Sequence, residues 1–294
     1  MQNSESFTIK SDFLKVEITK KGAEICSIQN NEGDEYMWNA NPDIWSSYAP
    51  VLFPIIGGLT NGKYTFEGIE YIMPKHGFVR NNDNLNVAHH TDNSITFQYR
   101  YTEETLKIYP FKFEFNITFS VDGPVITINH KIINIGENTM YFSLGGHPAF
   151  KCPLTDYENY EDYFLKFEKK ENCNTYLLNN EGLLSGETRP LFNKSDTLFL
   201  EHSLFNKDAL ILKDLKSRNV SLSHKTKGPV LSVTFNDFEY LGIWAKPDGD
   251  FICIEPWLGV TDNENTDSDF KTKEGILALN LNTDFKASYS ITIH

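Results

Sequence analysis

Arginine is the scarcest charged residue in this chain. Only Arg80, Arg100, Arg189 and Arg218 occur among 27 basic residues, and they are scattered. No bidentate clamp for a phosphate or carboxylate is visible in the primary sequence, so anionic substrates start at a disadvantage. Cysteine is as sparse: Cys26, Cys152, Cys173 and Cys253 stand far apart with no C-x-x-C. That spacing gives no support to a metal knuckle or redox pair and favours reduced, mostly buried thiols. Positive charge is short overall. With 27 Lys+Arg against 40 Asp+Glu the formal charge is −13, which repels a phosphate backbone and argues against nucleic acid as a partner. Long apolar runs are missing too. The most apolar stretch, Tyr48 to Leu59, is broken by two prolines and two adjacent glycines, and it is far shorter than the roughly 20 residues of a membrane span. Met1 to Lys10 is polar, without the features of a secretory signal, so the chain reads as non-exported and cytoplasmic, with no membrane partner.

Several chemistries lose their usual sequence support in the same way. There is no phosphate loop, no G-x-G-x-x-G, no G-x-S-x-G and no H-E-x-x-H. The oxygen-rich stretch Asp262 to Asp269 has Asp267 where a calcium loop needs its sixth-position glycine, and Lys273 at the twelfth position in place of a glutamate. It is expected to be a solvated loop.

What the chain does have is alternation. Phe13 to Thr19, Ser94 to Tyr101, Phe111 to Phe119 and Val125 to Ile133 alternate apolar and polar residues with the period of a half-buried strand, and Gly-, Asn- and Asp-rich turns separate such runs. Helical signal is confined to a turn or two at Thr102 to Tyr109 and at Ser203 to Asn206. With 40% hydrophobic and 14% aromatic residues over 294 positions there is ample material for a large core, and no linker divides it. The expectation is an all-β fold, a large antiparallel β-sandwich with few short helices, in one domain over residues 1–294. His89 and His90 are expected in a surface loop.

Three segments join a titratable residue to rigid or aromatic neighbours: Pro74-Lys-His76-Gly-Phe-Val-Arg80, Gly145-Gly-His147-Pro-Ala-Phe150 and Ile254-Glu255-Pro-Trp257. Pro148 biases His147 towards an extended backbone, and the two glycines are expected to supply conformations that bulkier residues resist. Glu255 follows the apolar strand Phe251 to Ile254, and desolvation beside Trp257 should raise its pKa towards that of a general base. Taken singly, each is more often a structural histidine or a paired carboxylate. Only folding brings them together.

These residues, with Tyr48-Ala-Pro-Val-Leu-Phe-Pro-Ile-Ile-Gly57, Lys207-Asp208-Ala-Leu-Ile211 and Leu241-Gly-Ile-Trp244, resemble the aldose 1-epimerase (mutarotase) family over nearly the whole chain, and most closely its compact lactose-operon-associated branch. The resemblance implies a β-sandwich with a sugar cleft on its concave face, and neither cofactor nor metal. It implies Glu255 as the base that takes the anomeric proton, His147 as the acid that protonates the ring oxygen, His76 as a second histidine near that oxygen, and Asp208 as a hydroxyl acceptor. The substrate would be a neutral hexose such as galactose or glucose. Alternatives are a hexose 6-phosphate, which needs a basic rim, a non-catalytic sugar-binding protein, and a glycoside hydrolase with two carboxylates. Trp244, Trp257, Phe78 and Phe150 are candidates either to stack on a sugar or to pack the core. One position departs from the pattern. Relatives read Pro-Ile-x-Gly-Arg where this chain has Pro54-Ile-Ile-Gly57-Gly58, so an arginine is lost. Arg80 then either replaces it or belongs to a structural ion pair.

Overall fold

The computed structural model describes residues 5–294. Two large antiparallel sheets pack face to face. The first has nine strands, and its centre is Gly228–Thr234, Asp284–Ile293, Val125–Asn134, Phe113–Asp122 and Ser94–Arg100, in that spatial order. The alternation in the sequence is what builds it. Phe113, Phe115, Ile117, Phe119 and Val121 are buried, and the residues between them stay partly exposed. Around the Asp122-Gly123-Pro124 turn, Val125 pairs with Asp122 and each following residue keeps that register to Asn134 opposite Phe113.

The second sheet has eight strands and reads differently. All eight residues of its central strand, Phe251–Leu258, are buried. Such a continuous run marks a strand covered on both faces. The apolar run in the sequence ends at Ile254, yet the strand continues through Glu255, Pro256 and Trp257, because Tyr240–Trp244 flanks it on one side and Leu144–Gly145 and Ala149–Lys151 on the other. Between the sheets Phe53 packs against Phe113, Phe115 and Phe142, and the hydrophobic core runs from Ile9 to Ile293.

A smaller sheet of Ser6–Lys10, Leu14–Thr19 and Glu24–Asn30 buries Leu14, Val16 and Ile18 on one face as the pattern requires. The helical expectations resolve into one α-helical turn, Glu103–Leu106, capped by Thr102, and a 3₁₀ turn at His202–Phe205. Two expectations need correction. His89 and His90 are exposed but lie on the sheet-edge strand Asn86–His90, where His90 Nε2 meets the Thr8 carbonyl at 3.0 Å. Asp262 is not solvated: it is buried, its Oδ1 accepting from Lys273 Nζ at 2.7 Å and its Oδ2 from Thr60 N at 3.0 Å. The departures from a calcium loop thus include a lysine that neutralises the first carboxylate. All four cysteines are free; Cys152 and Cys253 are buried, Cys26 and Cys173 partly so.

Candidate active site

A cavity of about 220 Å³ opens on the eight-stranded sheet. Its floor is made by side chains from the two adjacent segments that the sequence singled out. The backbone passes from Leu144–Gly146 directly to Ala149–Lys151, and His147 at the junction donates its amide to the Pro50 carbonyl at 3.0 Å. Gly145 and Gly146 serve a purpose other than the expected one. Neither has positive φ, but a Cβ on Gly145 would stand 2.8 Å from Trp257 and one on Gly146 only 2.5 Å from the Tyr289 hydroxyl. They are small because neighbours cross close by, not because the chain turns.

On the central strand, Cys253, Glu255 and Trp257 share a face by the two-residue repeat. Glu255 is 1% exposed and His147 8%, and His147 Nε2 lies 3.2 Å from Glu255 Oε2. Burial, reinforced by the charge of Asp208, pushes the Glu255 carboxyl well above the usual range, with Lys75, the Trp257 indole and Arg80 acting against it. Burial lowers His147 to about 3, and the cation of Arg80 adds to the shift. Both shifts have the same main cause: burial disfavours the charged form of each group.

His76 meets the pair edge-on, its ring centroid 5.8 Å from that of His147. It sits at φ 65°, followed by Gly77 at φ 74°, in a turn locked to Gly57 by two contacts: His76 N donates to the Gly57 carbonyl at 2.8 Å, and Gly57 N donates to His76 Nδ1 at 3.1 Å. A backbone amide only donates, so Nδ1 is the bare nitrogen and the ring proton sits on Nε2. Burial and the nearby His147 drive the His76 pKa well below its ordinary value, which keeps that ring neutral.

The walls are aromatic. Trp45 stacks on His147 at 5.0 Å, and Trp244 meets the same ring edge-on at 5.7 Å. Trp45 is carried by a loop fixed from behind. Glu24 Oε1 accepts from Tyr48 N at 2.6 Å and from Ala49 N at 2.7 Å, while the Tyr48 and Pro50 carbonyls receive the amides of Ala149 and His147. Asp208, at φ 71° after the 3₁₀ turn, reaches the rim together with Lys75, and Arg80 lines the same space. Arg80 donates to Ser47 Oγ at 3.2 Å, and among the described residues neither Arg80 nor Lys75 has a carboxylate within ion-pair distance.

His76, His147, Asp208, Glu255, Arg80, Trp244 and Trp257 therefore line one cavity. Phe150 and Phe78 do not. Phe150 is fully buried and pairs with Ile252 across the sheet, since the residue three after His147 turns its side chain into the core. Phe78 packs among Phe53, Tyr99, Tyr109 and Phe113. Trp45, Lys75 and Thr261 were missed. Lys75 was legible as the neighbour of His76, but nothing local marks the other two. At Gly58, a Cβ would stand 3.6 Å from Leu183 and 3.9 Å from Thr261, which is ordinary contact. Thr261 accepts from Gly58 N at 3.0 Å and donates to the Gly182 carbonyl at 2.9 Å, tying together three loops.

A helix long and apolar enough to cross a membrane is absent from the described residues. The sequence model of the aldose 1-epimerase family matches residues 5–267. The plasmid-borne protein LacX of Lactococcus lactis subsp. lactis is 35% identical, the match covering 97% of this chain and 98% of that protein. A galactose mutarotase related enzyme from Lactobacillus acidophilus superposes with a TM-score of 0.93 at 37% identity, covering 99% of this chain and 97% of its own. A galactose mutarotase-like protein from Lactobacillus casei gives 0.92 at 27% identity, with 99% and 100% covered. By the family model and the 35% identical relative, the chain belongs to the aldose 1-epimerase family.

Proposed function

We propose that this protein interconverts the α and β anomers of a neutral aldohexose, such as galactose or glucose, by general acid–base opening and re-closure of the ring. The observation that carries the reading is the buried His147–Glu255 pair, 3.2 Å apart at the floor of a small cavity. Opening a hemiacetal requires one group to take the proton of the anomeric hydroxyl while another protonates the ring oxygen. Glu255 takes the first proton and His147 gives the second; the open aldehyde rotates about its C1–C2 bond, and the same groups return the protons with roles exchanged. Each such group typically contributes about 10²–10⁴-fold. His76 Nε2–H donates towards the developing charge, and Asp208 at the rim accepts from sugar hydroxyls. The indoles of Trp45 and Trp244 face the C–H surfaces of a pyranose. The cavity, about 220 Å³, is below the roughly 300–1,000 Å³ of pockets for larger ligands and matches one sugar ring.

A second reading has an observation of its own. Lys75 and Arg80, without a carboxylate at ion-pair distance among the described residues, line the same cavity in a protein of charge −13, an arrangement suited to an aldohexose 6-phosphate. Anomer exchange measured by NMR on galactose, glucose and their 6-phosphates decides between the two. A neutral-sugar enzyme accelerates the first two and is indifferent to Lys75→Met. A phosphate-dependent one prefers the esters and loses that preference in Lys75→Met. Saturable sugar binding with no acceleration for any of the four would replace catalysis with sensing.

A further inference from the structure

Cys253 has no part in the proton transfers above, yet it shares a strand face with Glu255 and is completely buried beside the reacting pair. One ligating atom each from His147, Cys253 and Glu255 lies within 4.8 Å of the others. We propose that His147, Cys253 and Glu255 form an inhibitory site for a thiophilic divalent cation of the Zn²⁺ class.

Three observations support it. The donor set is one imidazole nitrogen, one sulfur and one carboxylate oxygen, the mixture that Zn²⁺ takes in tetrahedral sites with bonds of about 2.0–2.3 Å. Ligand atoms around such an ion stand roughly 3.3–3.8 Å apart, so the 3.2 Å nitrogen–oxygen pair already fits and the sulfur needs to close by roughly an ångström. Next, Glu255 Oε2 is buried without a hydrogen-bond partner, an acceptor held ready at the point where the three residues meet. Finally, His147 and Glu255 both line the cavity, which gives the ion a way in and leaves its fourth position facing open space.

The chemistry is ligand exchange without redox change. Zn²⁺ forms bonds to sulfur, nitrogen and oxygen: the Cys253 thiol releases its proton to solvent as it ligates, and the His147 imidazole and the Glu255 carboxylate ligate through their lone pairs. With both proton-handling groups ligated, the ring-opening step stops. Lys75 and Arg80, on the same cavity, oppose the incoming cation, which suits reversible inhibition better than a resident metal. Cation binding stands by itself, whereas inhibition rests on the mutarotase reading.

The test therefore reads both. Co²⁺ is titrated into the full-length protein and the near-ultraviolet thiolate-to-cobalt charge-transfer band is recorded, with no substrate present. Galactose anomer exchange is then measured against chelator-buffered Zn²⁺. The band and the inhibition are both expected in the wild type. Cys253→Ala and Cys253→Ser should abolish the band and weaken Zn²⁺ inhibition by about 100-fold or more, with the metal-free exchange rate unchanged. Absence of the band in the wild-type protein overturns the site whether or not the variants fold, as does equal Zn²⁺ inhibition of wild type and a folded Cys253 variant. A cobalt band in a protein that does not accelerate exchange keeps the site and removes the mutarotase reading instead.

Discussion

His130 and His147 are both buried histidines, one on a strand of the nine-stranded sheet and one at the junction of two strands of the eight-stranded sheet, and their local chemistry separates a packing residue from a reacting one. His130 lies on the nine-stranded sheet between Phe115, Phe238 and Tyr289, with neither ring nitrogen in a hydrogen bond, and burial lowers it to about 4. His147 is lowered to about 3 by the same desolvation, but its Nε2 faces Glu255 and its ring lines a cavity. A depressed pKa alone would have flagged both. What distinguishes them is a proton partner and a way in for substrate, and burial supplies neither.

The comparison is broken most forcefully by exchanging the two outcomes. His147→Ala should cut anomer exchange by about 10²–10⁴-fold, whereas His130→Leu should leave it unchanged. Polarimetry of freshly dissolved sugar checks both. A smaller loss is expected behind the wall of the site. Glu24→Ala removes the acceptor that fixes Tyr48 and Ala49, and a shift of the Trp45 loop and His147 by about 1 Å would lower kcat/KM by about 10²-fold. Glu24→Gln should stay near wild type, because both amides bond to one oxygen that glutamine retains.

The histidines should resemble each other in stability, where they differ in function. Each binds its proton in the unfolded chain near pH 6.5 and refuses it in the fold until about 4 for His130 and about 3 for His147. The unfolded state then holds more protons across that window, so stability is full above pH 6.5 and falls as the pH drops. For His130 the loss amounts to about 3 kcal/mol at a pH near 4, and urea melts of His130→Leu should show a correspondingly flatter acid limb. The smallest contrast is between glycines. Gly146→Ala drives a Cβ against Tyr289 and should cost about 1–3 kcal/mol, while Gly58→Ala meets only ordinary contacts and should change unfolding by no more than about 0.5 kcal/mol.

The nine-stranded sheet was legible because its strands have one covered face. Phe113–Asp122 and Val125–Asn134 spell that out residue by residue. Phe251–Leu258 is buried on both faces and carries no alternation, so its continuation through Pro256 was not readable locally. At the site, His76, His147 and Glu255 stood out because each lies beside glycine or proline in a short segment. Asp208 rested on a short match. Trp45 and Thr261 had no such setting; they enter the cavity through loops whose proximity arises only on folding. Asp262 and Lys273 looked like the ends of a polar loop and instead form a buried ion pair, since charge in sequence does not reveal which charges meet.

The central claim is that Glu255 and His147 act as one proton-handling pair. Galactose anomer exchange, followed by NMR at equilibrium in wild-type protein and in Glu255→Gln, tests it most directly. The account predicts acceleration above buffer in the wild type, falling on the acid side as the Glu255 base, its pKa raised by burial, takes up a proton, with Glu255→Gln reduced to near the buffer rate. Equal acceleration by the two proteins would contradict it.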